Sequence, residues 1–471
     1  MTRRFSASLL LAATLGGCVS PGPRVPKPVA AAVTPPAAWR TDLQPGGPVT
    51  ADWWTGFGDP ALTALVAQAL ANNVDIAIAA GRVEEARAAE ALSRAQLSPQ
   101  VGGSLPETQG QTLSPFGTPS RAIGTQPVIT ASYDLDLFGR LRLASRAARA
   151  QLLASEGARD TVRLATAASA ASGYVVLRAL DQRLQIARET LAARSDALRI
   201  ARRRYEAGYS SRLEYRQSQA EYASTQQLVP AAHLAITRQE NALSLLVGDV
   251  PGPIARGVPI NRLRLPAIPD GLPASLLRQR PDIFQAEQTL VAADLSLDSQ
   301  RAAFLPNIAL TGSVGLVLST ALSNPVGVFS LGASGLAPIF DAGRLRAQEN
   351  AATARRDQAA FAYRRTALSA FREVDDALAG VQRTGEQATA LVEQVNASRG
   401  ALENARNRYR AGYSSYIEQL DAQRSLLTAE LSLVQAESDQ LTSFVTLYQA
   451  MGGGWRPGTP LSPATDAVSR P

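Results

Sequence analysis

Apolar residues recur at every seventh position along two long stretches that contain almost no proline. The first stretch runs from Gly139 to Val229, and the second lies between Pro338 and Pro457. A seven-residue apolar spacing predicts long helices that pack through a narrow seam, as in coiled coils. From Gly139 to Ala207, one continuous helix would be roughly 100 Å long at about 1.5 Å per residue. The predicted seam positions are Leu184, Leu191, Leu198 and Tyr205 in the first stretch, and Val395, Leu402, Tyr409, Leu420, Leu427, Val434, Leu441 and Tyr448 in the second.

A period of two replaces this spacing in two shorter segments, residues 128–137 and 307–318. Apolar and mostly polar positions alternate there, which predicts β-strands with one apolar face. Residues 307–318 have the length of a tilted transmembrane strand. A weaker strand with a long loop is expected over 100–127, and a glycine-rich strand over 326–337. The predicted lipid-facing positions are Leu310 and Leu316, and the predicted lumen-facing positions are Thr311 and Val317.

One eleven-residue stretch occurs twice in the chain. Residues 201–211 and 405–415 match at nine of eleven positions and lie 204 residues apart. The same offset aligns the sequence Gly-Arg-Leu-Arg at 139–142 with its copy at 343–346. A repeat of this length indicates two copies of one structural unit. Each eleven-residue copy has a glycine inside a helical pattern, so we interpret it as the bend between two long antiparallel helices.

The N-terminus has the features of a bacterial lipoprotein leader. Arg3 and Arg4 precede an apolar run that is too short to span a bilayer, as in a signal peptide. The run ends at Leu15-Gly16-Gly17-Cys18, which resembles a lipobox, so Cys18 is the predicted lipidation site. Val19 follows the cysteine in place of an aspartate, which favours the outer membrane.

Composition and the repeat together predict the organisation of the chain. The predicted segments are a lipoprotein signal peptide at 1–17, a proline-rich linker with the lipid anchor at 18–50, repeat 1 at 51–250, a proline-rich inter-repeat linker at 251–275, repeat 2 at 276–456 and a disordered tail at 457–471. The two repeats are expected to build one architecture rather than two independent domains.

The composition gives little support to enzymatic or metal chemistry. One cysteine and one histidine exclude a disulfide framework within the chain and a cysteine–histidine metal cluster. His233 stands in an alanine-rich helical segment, which favours a packing or surface role over catalysis. The net charge is +7, but the arginines alternate with acids along helices, which is typical of solvated faces rather than a nucleic-acid groove. We therefore predict no enzymatic activity, no cofactor and no nucleic-acid partner.

The predicted elements cannot complete a structure within one chain. Helices with a narrow apolar seam gain most of their stability from packing that seam against another helix. Strands in a membrane must close into a barrel, because open edges leave backbone donors unpaired in hydrocarbon. Four strands are too few to close a barrel with a lumen. The pattern therefore predicts a cyclic oligomer, with a β-barrel at one end and a helical tube that leads to the repeated turns.

Several short motifs follow one another between Trp53 and Trp455. They are Trp53-Trp54 with Phe57-Gly58-Asp59-Pro60, Leu137-Phe138-Gly139-Arg140-Leu141-Arg142, Arg280-Pro281-Asp282-Ile283, Phe304-Leu305-Pro306, Ile339-Phe340-Asp341-Ala342-Gly343-Arg344, both copies of Tyr-x-Ala-Gly-Tyr-Ser-Ser, and Leu447-Tyr448-Gln449-Ala450-Met451-Gly452-Gly453-Gly454-Trp455. Together they resemble the TolC-type outer-membrane efflux proteins, most closely the lipoprotein branch of OprM- and NodT-like proteins. The resemblance implies an α+β membrane protein with two internal structural repeats. It would form a trimeric channel, with a long-helix α-barrel in the periplasm and a twelve-stranded transmembrane β-barrel, four strands from each chain.

The resemblance also implies a function and partners. The chain would be the exit duct of a tripartite efflux pump that passes drugs or other small toxic solutes from the periplasm to the exterior. A homotrimer in outer-membrane lipid would dock to a periplasmic adaptor and an inner-membrane RND-type transporter, which supplies the energy. The residues of the docking tips would be Gly208, Tyr209, Ser210, Ser211, Gly412, Tyr413, Ser414 and Ser415.

The same resemblance assigns residues to the closed periplasmic end. Tyr409 matches the tyrosine that constricts this end in the family, and Glu418 and Asp421 match an acidic pair. Their three-residue spacing places both carboxylates on one helix face. Glu214 is the corresponding acid of the first repeat, 204 residues before Glu418. Ser414 stands where the founding protein has an arginine that links the closed state, so we expect a latch that is weaker or differently built.

Two other functions are compatible with part of this pattern. A type I protein-secretion duct has the same fold, and its cargo depends on its partners. A lipid-anchored periplasmic scaffold would need no channel, but the alternating segments 128–137 and 307–318 argue against it. Single-channel conductance would separate a duct from a scaffold.

Overall fold

A computed structural model describes residues 21–41, 46–113, 116–117 and 119–457 of the chain. The predicted signal peptide, Cys18 and nearly all of the predicted tail lie outside these residues. The chain folds into two compact units. One, which we call the sheet unit, contains 81–156, 285–365 and the described residues before Val33. The other, the helical unit, contains 33–80, 157–284 and 366 to the last described residue.

Helices and strands alternate in two similar series. The helices of the described residues are α1 (Pro60–Asn72), α2 (Val74–Ala95), α3 (Arg140–Glu206), α4 (Arg212–Gln226), α5 (Leu228–Leu246), α6 (Pro273–Gln279), α7 (Pro281–Ala302), α8 (Arg344–Arg410) and α9 (Tyr416–Ala450). The strands are β1 (Gln100–Ser104), β2 (Glu107–Leu113), β3 (Pro119–Thr125), β4 (Val128–Asp134), β5 (Asn307–Ser319) and β6 (Val326–Leu336). The predicted strands at 307–318 and 326–337 are thus confirmed as β5 and β6.

The helix bounds follow the 204-residue offset of the sequence motifs. Helices α3 and α8 have 67 residues each and begin at Arg140 and Arg344. Helix α9 then runs unbroken for 35 residues, whereas the matching stretch of the first series divides at Gln227 into α4 and α5. Pro230 explains this difference, because it lacks an N–H and its ring clashes with the carbonyl four residues earlier. Val434 occupies the matching position in α9.

Polar side chains begin the first two helices. The Asp59 carboxylate accepts a 2.8 Å hydrogen bond from the backbone two residues later, and Pro60 occupies the first helical position. The Asn73 side chain accepts from the backbone N–H groups of Asp75 and Ile76 at 3.0 and 3.1 Å. Asn73 therefore ends α1 and caps α2.

Within the described ranges, one helical stretch, Pro60–Ala95, is long and apolar enough to cross a membrane. It consists of α1 and α2, which Asn73 divides. Leu62, Val66 and Ala69 of α1 are fully buried inside the protein. Core packing therefore accounts for the apolar character of α1.

The strands form one antiparallel sheet in the sheet unit. β4 lies between β1 and β5, and β6 pairs with the other side of β5. β2 pairs with β3 and continues the sheet beyond Pro106 and Pro127. Proline has no N–H to donate to a neighbouring strand. Pro106 therefore separates β1 from β2, and Pro127 separates β3 from β4. The chain therefore crosses the sheet four times, as β1–β2, β3–β4, β5 and β6.

The segment 100–127 differs from its sequence-based expectation. The sequence predicts one weak strand and a long loop, whereas the structure has β1, β2 and β3 there. Glycine, serine, threonine and glutamine dominate these strands, so apolar periodicity carries little signal. These strands are held by backbone hydrogen bonds to neighbouring strands, and the order of side chains along the sequence does not indicate such bonds.

The register places most of the large apolar residues of β4, β5 and β6 on one face of the sheet. Cross-strand partners share a face of a sheet. On the apolar face the aligned sets are Tyr133–Leu310–Ala333, Ala131–Gly312–Leu331 and Ile129–Val314–Phe329. On the opposite face they are Ser132–Thr311–Gly332 and Thr130–Ser313–Ser330. Phe329 and Leu331 are 86% and 89% exposed, so no described residue covers the apolar face at these positions.

The core of the helical unit surrounds Trp53. Its ring stacks on Tyr448 with centroids 5.3 Å apart and meets Phe57 edge-on. Tyr205 departs from the predicted seam, because it is 39% exposed and stacks on Tyr215. The predicted seam residues that are buried are Leu184, Val395, Leu402, Leu420, Val434, Leu441 and Tyr448.

Residues 21–32 are held against α7 and α8 within the sheet unit. Arg24 pairs with Asp298 at 3.1 Å. Arg356, which is 1% exposed, donates to the carbonyls of Val25 and Pro26 at 2.6 and 3.2 Å. Arg356 thus holds the proline-rich segment by hydrogen bonds to the backbone of that segment rather than to its side chains.

Candidate functional site

The two repeated turns have the same backbone geometry. Gly208 and Gly412 have φ angles of +79° and +76°, a left-handed conformation that glycine adopts without steric cost. In each turn the N–H of the following tyrosine bonds to the carbonyl five residues earlier, at 2.8 and 2.9 Å. These bonds close the C-terminal ends of α3 and α8 as in a Schellman motif. The interpretation of the eleven-residue stretches as helix bends is confirmed.

The side chains of the two tips are only partly exposed. Tyr209 and Tyr413 are 86% and 81% exposed. Ser211 caps α4, since its hydroxyl accepts from the backbone N–H of Glu214 at 3.2 Å. The hydroxyls of Ser210 and Ser414 are buried and have no partner among the described residues. The predicted docking tips are therefore exposed at the two tyrosines and buried at these two hydroxyls, because a tight turn has an inner side as well as an outer one.

Tyr409 and Glu214 meet near the tips, one from each repeat. The Tyr409 hydroxyl donates a short hydrogen bond to the Glu214 carboxylate. Arg204 donates to the same hydroxyl at 3.0 Å, and its guanidinium lies 5.3 Å from the centre of the Tyr409 ring. We call Arg204, Glu214 and Tyr409 the tip node. Burial, followed by the hydrogen bond to Glu214, raises the pKa of Tyr409 to about 12.

Arg204 is the member of the tip node that sequence reasoning missed. It lies in the repeated stretch, and its counterpart in the second copy is Arg408. Arg408 pairs with Glu418 at 3.5 Å. Both repeats thus place an arginine just before the turn, near acids that follow it. The doubled Arg-Tyr pair within the eleven-residue stretch was the available signal.

Glu418 and Asp421 lie apart from the tip node. Both are exposed on α9, whereas the intervening Leu420 is buried, as expected for two carboxylates on one face. Arg424 approaches Asp421 at 3.9 Å. Neither acid forms an ion pair or hydrogen bond with Tyr409 within the described part of the chain. The structure therefore brings together two of the four predicted aperture residues, Tyr409 and Glu214.

The chain combines an antiparallel sheet that has a largely apolar face with long helices that end at glycine turns. These features are typical of outer-membrane channel proteins with helical hairpins. The model of a protein family described as outer membrane efflux protein matches residues 65–249 and 272–453. The solvent efflux pump outer membrane protein SrpC of Pseudomonas putida is 35% identical over 447 residues, which cover 88% of this chain and 94% of SrpC.

Solved structures agree with this classification. The structure of CusC has a TM-score of 0.81 at 32% identity, and the match covers 92% of this chain and 100% of the CusC chain. The outer-membrane channel OprN has a TM-score of 0.81 at 28% identity, and covers 93% of this chain and 100% of its own. The chain belongs to the outer membrane efflux protein family. It is an outer-membrane efflux channel protein and not an enzyme, as the sequence predicts.

Proposed function

We propose that three copies of this chain form one channel, in which the four crossings of each chain contribute to a twelve-stranded transmembrane β-barrel. Within the described residues, β6 and the β1–β2 crossing each pair on one side only. Unpaired edges are costly in hydrocarbon, so these edges require strand partners. Pairing β6 of one copy with β1–β2 of the next satisfies both edges through one repeated interface.

The same trimer brings the long hairpins of its two structural repeats together as a periplasmic α-barrel. The tip node closes the end of this tube, and Glu418 and Asp421 line the aperture. The tips around Gly208 and Gly412 dock to a periplasmic adaptor and through it to an inner-membrane RND-type transporter. Relatives named as outer membrane proteins of efflux pumps support this role. The channel passes drugs or other small toxic solutes to the exterior.

Cys18 is the proposed lipid anchor of the mature protein. It is the sole cysteine of the chain and stands at the end of the lipobox-like sequence. Two or more acyl chains give stable membrane attachment, so the lipid would supplement insertion of the barrel. Mass spectrometry of the membrane-extracted protein would then show an acylated Cys18 as its first residue.

The strand register is the observation that carries this proposal, because it collects most of the large apolar residues of β4, β5 and β6 on one face of the sheet. Leu316 lies on that face and Val317 on the other. The test uses Leu316→Cys and Val317→Cys, each on a Cys18→Ser background, in membranes of intact cells. A membrane-impermeant thiol reagent should label Val317→Cys and leave Leu316→Cys unlabelled. Equal labelling of the two variants would contradict the proposed barrel.

Reconstitution tests the channel itself. The purified protein should migrate as a trimer and produce discrete conductance steps in planar bilayers. Co-expression with a compatible adaptor and transporter should restore resistance in a strain that lacks its own outer-membrane duct. A folded protein that inserts without conductance would favour the scaffold function instead.

A further inference from the structure

An ion cluster lies inside the helical unit, and none of its residues belongs to the proposed aperture. Arg194 of α3 is 2% exposed, and Glu221 of α4 is 7% exposed. The Arg194 guanidinium lies 3.3 Å from the Glu221 carboxylate and also donates to the side-chain oxygen of Gln423. Arg424 of α9 donates to the same carboxylate, with its Nε at 2.8 Å. We call these four residues the inner cluster.

The inner cluster and the tip node form two separate layers. Arg194 lies 14 residues before Gly208, and Arg424 lies 12 residues after Gly412. At about 1.5 Å per residue, both are about 20 Å along their helices from the turns. Tyr409 lies only three residues from Gly412. Each layer joins a residue of the first hairpin, α3–α4, to a residue of the second hairpin, α8–α9.

A cavity of about 350 Å³ lies between the two layers. It is lined by the tip node on one side and by Gln423 of the inner cluster on the other. Tyr416 and Gln419 of α9 also line it and are 7% and 8% exposed. The Tyr416 hydroxyl and the Gln419 side-chain oxygen are buried without a partner in the described residues. Between the layers, these two groups of α9 therefore have no hydrogen bond to lose when the helix moves.

We propose that the inner cluster is a second latch of the channel, which holds α9 against the first hairpin and is released together with the tip node on opening. This inference rests on the proposed channel function. Among the described residues, the side-chain hydrogen bonds and ion pairs between the two hairpins lie in these two layers, the inner cluster on α9 and the tip node on α8, with a cavity between them. Separation of the two hairpins near their tips therefore requires these few identifiable bonds to break.

The bond between Arg424 and Glu221 is the releasable part of the cluster. The Arg424 side chain is 57% exposed, so its charge is readily hydrated once it leaves. Glu221 then remains paired with the buried Arg194, which spares the protein an uncompensated buried charge. Breaking the Arg194–Glu221 pair instead would leave such a charge. The geometry thus separates a fixed pair within the first hairpin from a detachable arginine on the second.

The variant Arg424→Gln tests the latch, and the chain offers a matched control. Arg399 of α8 pairs with Glu430 of α9 at 3.1 Å, and its side chain is 61% exposed. That pair lies within the second hairpin and does not join the two hairpins. In planar bilayers without partner proteins, Arg424→Gln should raise the open fraction about three- to tenfold, allowing for the solvent screening of a half-exposed pair. Arg399→Gln should leave the open fraction unchanged.

Thermal midpoints of both variants separate gating from general stability. The latch would be supported if both variants show similar small shifts in thermal midpoint and only Arg424→Gln shows a higher open fraction. A wild-type open fraction for a folded Arg424→Gln trimer, or an equal rise in both variants, would overturn it. If Arg424→Gln yields no trimer, Arg424→Lys replaces it, since lysine keeps the charge but cannot reproduce the multiple guanidinium contacts. A raised open fraction then supports the latch, and a wild-type value rejects it. A wild-type protein without conductance would instead reject the channel function.

Discussion

The tip node makes a direct prediction for the substitution Tyr409→Phe. This change removes one hydroxyl and keeps the ring, so the contacts of the ring with Tyr416 and with the Arg204 guanidinium are retained. What is lost is the hydrogen bond to the Glu214 carboxylate and the one that the hydroxyl accepts from Arg204. Hydrogen bonds to charged groups contribute about 1.5–3 kcal/mol, and partial burial of Tyr409 places the bond to Glu214 near the lower end. A loss of about 1.5 kcal/mol shifts an equilibrium roughly tenfold.

If the bond exists only in the closed state, the open fraction of Tyr409→Phe rises by about that factor for each copy that must release. The assay is single-channel recording of the reconstituted protein, together with entry of a large antibiotic into cells. Tyr205→Phe is the control, because Tyr205 is the equivalent residue 204 positions earlier and stacks on Tyr215 at the surface. Wild-type gating in Tyr409→Phe, or equal effects in the two variants, would refute the role of the tip node.

The pKa of Tyr409 also predicts how the tip node responds to pH. Burial raises the pKa from its ordinary value of 10.0 to about 12. A raised pKa means that the folded state favours the protonated hydroxyl, so this contribution to stability is fully present below pH 10. It is lost as the pH rises through about 12. Between pH 6 and 9 we therefore expect no change in closure through Tyr409, and recordings across this range would check it.

Two further predictions concern the aperture and the core. Replacing Glu418 and Asp421 by Gln and Asn should remove cation selectivity and block by multivalent cations from the periplasmic side, because carboxylates near a pore concentrate cations; unchanged selectivity would mean that they face away from the pore. Gly257→Ala should lower the free energy of unfolding by about 2–3 kcal/mol through overpacking, since its Cβ would lie 1.9 Å from the buried Asp59 carboxylate. Gly252→Ala, whose Cβ would meet its nearest neighbour at 3.7 Å, should leave the thermal midpoint unchanged.

Local spacing in the sequence was sufficient to predict the long helices, the turns and three of the strands, β4, β5 and β6. A seven-residue apolar period, the absence of proline and a glycine in each repeated stretch each act over a few neighbouring residues. Their consequences could therefore be predicted without knowledge of distant contacts. The alternation of residues 307–318 belongs to the same class. Strands β1 to β3 were predicted poorly, since their polar sequence leaves the pairing to backbone groups of other strands.

The candidate site shows where local information ends. Tyr205 and Tyr409 have nearly the same sequence around them, yet one stacks at the surface and the other bonds to Glu214. Likewise, nothing near Arg194 in the sequence indicates that it is almost fully buried beside Glu221. The burial and the partners of these side chains come from the packing of separate helices, some of them about 200 residues apart in the chain. Only the tertiary structure brings those helices together, and it therefore decides which copy of a repeated residue becomes part of the site.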